Sequence, residues 1–209
     1  MATDTRERIL EAATTSFGSR GYDATSLDAL AASLQIRKQT ILYWFPSKEV
    51  LLEAVIARAA LELSTTMQAA LDGAGVGWAR VEAVVKSVFR LASRRPELLG
   101  LVREVTRRGP QATSQLISAM GPLVERASEF LRAEMDAGRM RRHDPRLLLL
   151  AIYSTVIGMV TEVEVLRALG EEPTPRSLVR RRADVLALLR SALLVPDEEA
   201  RAQREERVG

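Results

Sequence analysis

The sequence contains no cysteine, which rules out a disulfide framework and a thiolate zinc site. Histidine occurs once, at His143 in the stretch RRHDP. One imidazole between Arg142 and Asp144 furnishes neither a metal site nor a Ser-His-Asp relay. Aromatic residues make up 4% of the chain while 47% of it is hydrophobic, the profile of packed helices rather than sheet. Long hydrophobic runs are missing too. The longest nearly apolar stretch, Leu147 to Val160, is too short for a bilayer and is followed by Glu162 and Glu164. The opening MATDTRERI lacks the apolar segment of a signal peptide. These absences predict a cytoplasmic, all-α protein with no membrane partner, no metal, no cofactor and no catalytic set. Its 209 residues suffice for one large or two small domains with a proper core.

What is present is helical periodicity. Ile9, Leu10, Ala13 and Phe17 share one face of a first helix, capped by Thr3 or Asp4. Gly21 ends it, and Tyr22 is expected to fold back over its last turn. The stretch TSLDALAASLQIRKQTILYWFPSK, Thr25 to Lys48, then reads as a helix-turn-helix followed by the start of a longer helix. Thr25 with Asp28 three residues on has the capping-box form, which places the first short helix from about Ser26. Leu30, Ala31, Leu34, Ile36 and Ile41 fall where two short helices crossing at a tight turn must touch. The second short helix, about Lys38 to Phe45, buries Ile41 and turns Arg37, Lys38, Gln39, Thr40 and Tyr43 outward. Such a face suits phosphates and base edges in a major groove.

Total charge does not argue for a nucleic-acid partner: the net charge is +3, and the first fifty residues carry six basic and six acidic side chains. Placement does. Between Ala29 and Ser47 there are two basic residues and no acid, with Lys48 just beyond. Ser47 is the expected N-cap of the next helix, so Lys48 sits in a first turn, where a cation works against the helix dipole by about 0.3–1 kcal/mol. A phosphate docked at that helix end, shared by free N–H groups and the ammonium, accounts for it.

The segment Arg6 to Leu52, through RERILEAATTSFGSRGYDATSLDALAASL and ILYWFPSKEVLL, resembles the DNA-binding head of the TetR family of transcriptional regulators. The resemblance covers about a quarter of the chain. Two positions depart from the family pattern. Gln35 stands where the turn usually carries Gly and is expected in a left-handed conformation, at roughly 1–2 kcal/mol. Leu42 stands where the recognition helix usually carries Tyr, with Tyr43 and Trp44 following. The contact of that Tyr with a phosphate or thymine methyl is either lost or passed to a neighbour. The DNA-binding set is then Arg37, Lys38, Gln39, Thr40, Tyr43 and Trp44 toward the groove, with Thr25, Ser26 and Lys48 on phosphates.

The rest of the chain reads as six further helices, about nine in all. A long fourth runs from Lys48 to Leu71, and the DGAGVG loop that follows is a connection, since no strand precedes it and no GK[ST] follows. Helices are expected over Trp78 to Arg94, Glu97 to Arg108 and Gln111 to Ala137, the last with a kink or a fresh helix start at Gly121-Pro122. Asp144-Pro145 and Thr174-Pro175 start the final two, the first apolar from Leu147 to Leu169 and the second running from about Arg176 to Leu194 with Leu178, Val185, Leu186, Leu189 and Leu193 as its stripe. The eighth is apolar nearly all round and must be covered on several sides. This gives a head over 1–47, a helical effector-binding and dimerisation domain over 48–195, and a charged, frayed tail over 196–209.

The apolar surface of the last two helices points to a homodimer through residues about 145–194, and the resemblance implies the same. Two identical heads then read a pseudo-palindromic operator. The resemblance also implies a small-molecule effector held among the middle helices, with Trp78, Phe89, Leu101, Met120, Phe130 and Tyr153 as candidate lining. Glu104, beside Arg103, is the candidate polar contact. Plain core packing is the commoner account of Met and aromatic residues at helical spacing. Three readings result: a repressor released from its operator by a lipophilic effector; a DNA-binding regulator without an effector; and a helical carrier or enzyme with a vestigial head.

Overall fold

A computed structural model describes residues 2–196, and the tail from residue 197 lies outside the described residues. Among the described residues the chain forms ten helices. They are α1 (Ala2–Arg20), α2 (Leu27–Ser33), α3 (Lys38–Trp44), α4 (Lys48–Asp72), α5 (Trp78–Arg94), α6 (Pro96–Arg107), α7 (Pro110–Asp136), α8 (Pro145–Thr161), α9 (Val163–Ala168) and α10 (Pro175–Leu193). An isolated antiparallel bridge joins Met140 and Leu194. The all-α expectation holds, with four local corrections.

First, α1 begins at Ala2, so Asp4 lies inside its first turn rather than before it, where its charge favours the dipole. Second, α7 runs unbroken through Gly121-Pro122. Pro122 and Ser118 are both exposed, so the carbonyl that loses its donor sits at the solvated side of the helix. Third, the capping box at Thr25 and Asp28 is not formed. Ser26 is the N-cap, its Oγ accepting from the Ala29 N–H at 3.0 Å. Thr25 is buried, and its hydroxyl donates to the Gly21 carbonyl at 2.9 Å.

The fourth correction is the apolar run that reads as one eighth helix: it breaks at Glu162 into α8 and α9. The Arg181 guanidinium donates to the Met159 carbonyl, which the break leaves without its i+4 partner. Arg181 is only 7% exposed, and burial pushes its pKa down. A cation at the C-terminal carbonyls of α8 is favourable. Nothing local in the sequence marks the break, because its partner lies on α10.

The described residues divide into two compact units, 2–64 with 94–121 and 65–93 with 122–196. In the first, Phe17, Ile9, Leu30, Ile41, Leu51, Leu98 and Leu101 are fully buried. α6 belongs to this unit because it meets α1 backbone to backbone. A Cβ on Gly18 would stand 1.9 Å from the Glu97 carbonyl oxygen, and one on Gly100 would stand 2.2 Å from that of Gly18. Arg95, at the start of α6, pairs with Glu11 of α1 at 2.9 Å and Glu62 of α4 at 3.1 Å. In the second unit, Trp78, Val85, Phe89, Leu131, Met135, Val156, Val185 and Leu193 form the core.

Gln35 has φ 57, the left-handed conformation expected of it. Gln35→Gly is therefore expected to stabilise the protein by about 1 kcal/mol. That raises the melting temperature by roughly 2–4 °C in a chain of this length. An unchanged or lower melting temperature would show that the Gln35 side chain compensates its own strain.

Candidate nucleic-acid interface

α3 is short, and its orientation is set by what it buries. Ile41 is completely buried and Phe45 nearly so, while Arg37, Lys38, Gln39 and Tyr43 are exposed and Thr40 is half-buried. Tyr43 reaches 79% exposure and stacks edge-on against Trp44, ring centroids 5.3 Å apart. Arg37 is the N-cap position of α3 and makes no side-chain cap, as follows for a side chain that has donors only. Lys38 is tied across to α2, its Nζ 2.8 Å from Asp28.

Around this face the rest of the head is braced. Arg8 of α1 donates to the Leu34 carbonyl at 3.4 Å, closing the end of α2. The Arg6 guanidinium lies 5.4 Å from the Phe45 ring centroid. Ser47 caps α4, its Oγ accepting from the Val50 N–H at 3.2 Å. Lys48 stands in that first turn, its ammonium 4.0 Å from the centroid of the Tyr22 ring. The Tyr22 hydroxyl donates to Glu49 at 3.1 Å. Burial, reinforced by that bond, pushes the phenol up to about 12. The Glu49 carboxyl is lowered by its own backbone N–H, by Ser47 and by Tyr22.

The structure thus brings Arg37, Lys38, Gln39, Thr40 and Tyr43 onto one outward surface. Thr25 stands apart from them: its side chain is 5% exposed and its hydroxyl is spent internally, so it offers no hydroxyl to a phosphate. Ser26 remains exposed, with its Oγ engaged as the α2 cap.

The comparisons agree with this geometry. The description "Bacterial regulatory proteins, tetR family" matches residues 9–55, from α1 into α4. The HTH-type transcriptional regulator YhgD of Bacillus subtilis is 22% identical over 165 residues, covering 78% of this chain and 86% of that one. A TetR transcriptional regulator from Chloroflexus aurantiacus superposes with a TM-score of 0.74 at 21% identity, covering 93% of this chain and 98% of its own. Residues 9–55 thus carry a head of the TetR family of bacterial regulatory proteins. A transcriptional regulator from Saccharomonospora viridis, solved in complex with choline, has the same fold, with TM-score 0.73 at 19% identity over 92% of this chain and 99% of that one.

The seven residues weighed as effector lining are divided between the two units. Leu101, Glu104 and Met120 belong to the first unit, where Leu101 is core and Glu104 accepts the Tyr22 N–H at 2.8 Å. Trp78 and Phe89 sit in the second unit's core, with Phe130 packed against it. Tyr153 of α8 is exposed. Two features of the second unit escaped sequence reasoning. The Trp78 indole N–H is buried without a hydrogen-bond partner, and the Arg190 guanidinium lies 5.1 Å from its ring centroid. Arg80 lies likewise 5.6 Å from the Phe130 ring centroid. Their spacing along the sequence gave no signal of either pairing.

Proposed function

We propose that the protein is a cytoplasmic, homodimeric repressor that holds a pseudo-palindromic operator through two copies of α3 and is released by a small lipophilic effector. The observation that carries this reading is the outward face of α3: Arg37, Lys38, Gln39 and Tyr43 exposed together on a helix without an acid. A carrier or enzyme with a vestigial head has no use for such a face. Gln39 would read a base edge, Arg37 and Lys48 would hold phosphates, and Lys38 would exchange Asp28 for DNA.

Support for the dimer comes from α8 and α10. Leu147 and Leu150 on α8 are 67% and 57% exposed, and Val179 and Leu188 on α10 are 55% exposed each. Gly158 has no atom within 4 Å of a Cβ built on it, so nothing within its own chain requires a glycine there. Leu150→Asp would place a charge in an apolar interface, costing about 3 kcal/mol or more, roughly 100-fold in dimer Kd. Sedimentation equilibrium should show monomer where the wild type is dimer. A dimeric Leu150→Asp variant would move the interface elsewhere.

The effector is supported by the unpaired Trp78 N–H in an aromatic core, since a buried donor left unmet costs about 1–3 kcal/mol. Thermal melts against a panel of lipophilic compounds test it. A true effector raises the melting temperature by mass action and dissociates the protein from its operator. If no compound does both, the regulator works without an effector.

A further inference from the structure

We infer that Tyr22 is a positioning residue for DNA binding: held by Glu104 of α6 and by Arg108 at its C-cap, its ring sets Lys48 for a backbone phosphate. The inference rests on the reading of Lys48 as a phosphate contact.

Tyr22 is fixed from several directions. Its N–H donates to Glu104 at 2.8 Å, its hydroxyl donates to Glu49 at 3.1 Å, and its ring leans on Phe17 with centroids 5.2 Å apart. The Arg108 guanidinium lies 3.9 Å from the Tyr22 ring centroid and pairs with Asp23 at 3.0 Å. Preceding it, Gly21 has φ +90, and a Cβ built on it would come within 3.6 Å of a Glu104 oxygen. The segment is seated on α6, and α6 is seated on α1 through Gly18 and Gly100.

The way Lys48 is held matters for what it can do next. A π face attracts an ammonium without consuming any of its three N–H donors. Lys38 differs, because its Nζ already bonds the Asp28 carboxylate. Lys48 is thus oriented in advance with its donors available to phosphate oxygens, at a helix end whose dipole favours an anion. Orientation in advance spares the rotamer freedom that a four-carbon side chain would otherwise lose on binding.

Glu104 and Arg108 lie outside the α1–α3 head and have no part in reading DNA, yet substitution there should weaken the Lys48 contact. The test is a set of double-mutant cycles on a duplex selected by the wild-type protein from a random pool, with affinity measured across salt concentrations. Lys48→Met should lower affinity about 5–10-fold per half-site and reduce the salt slope by about 1 per protomer. Arg108→Met and Tyr22→Leu should each lower affinity by a smaller factor, and Lys48→Met should add little in either background. Tyr22→Phe, which keeps the ring, should bind as the wild type does within about twofold. Arg37→Met serves as the independent contact, and its effect should multiply with that of Arg108→Met. If Tyr22→Leu melts early, the half-exposed Arg108→Met carries the same comparison in a folded protein. Should Lys48→Met and Arg108→Met multiply in full, the positioning role is overturned while the phosphate contact stands. Should Lys48→Met leave affinity and salt slope unchanged, both fall together.

Discussion

Replacing Gly100 by Ala should lower the melting temperature by roughly 6–12 °C, the equivalent of about 3 kcal/mol in a chain of this length. Helix propensity alone predicts the opposite sign, because Ala is better than Gly in a helix interior by about 1 kcal/mol. Contact decides which effect wins. The new methyl carbon would lie 2.2 Å from the Gly18 carbonyl oxygen, and the obstacle is backbone rather than a movable side chain. α1 and α6 must therefore separate, loosening Phe17, Leu98 and Leu101 between them. Gly18→Ala, which meets the Glu97 carbonyl at 1.9 Å, should behave alike. Differential scanning calorimetry reads both, and a rise in melting temperature would mean that the helices are not in backbone contact.

Gln39→Ala should cost about 1–3 kcal/mol at each half-site, the usual worth of a bidentate base contact. Two half-sites double it to roughly 2–6 kcal/mol, about 30-fold to 10⁴-fold in operator affinity. Gln39 is uncharged, so binding to a scrambled duplex and the salt slope should not change. Arg37→Ala separates from it cleanly: a phosphate contact weakens binding to every sequence alike and reduces the slope by about 1. Equal losses on selected and scrambled DNA for Gln39→Ala would remove it from the reading face.

The head was legible in the sequence because its constraints are local. Leu30, Ala31 and Ile41 announce the crossing by their spacing, and the left-handed turn at Gln35 is what the family resemblance implies, because its pattern carries Gly there. Ser47 as a cap and Lys48 in the first turn follow from three adjacent residues. The misreading of Thr25 has the same scale: Thr25 and Ser26 are both capping residues, and only the bond from Thr25 to Gly21 separates their roles.

What stayed hidden depends on residues far apart in the chain. Gly18 and Gly100 are eighty-two positions apart, and neither alone signals a helix crossing. Glu104 reads as a candidate ligand contact until the Tyr22 N–H claims it. The break at Glu162 has no proline or glycine to mark it, and its compensating arginine lies on another helix. The exposed stripe on α8 was legible only as excess hydrophobicity, since periodicity cannot separate a core face from a face covered by a second copy.

The most direct test is fluorescence anisotropy of a labelled duplex selected by the protein from a random pool, titrated beside a scrambled copy at several salt concentrations. A dimeric regulator reading DNA through α3 predicts two protomers per duplex and a roughly thousandfold or greater preference for the selected sequence. Equal, steeply salt-dependent binding to both duplexes, or no binding at low salt, would contradict it.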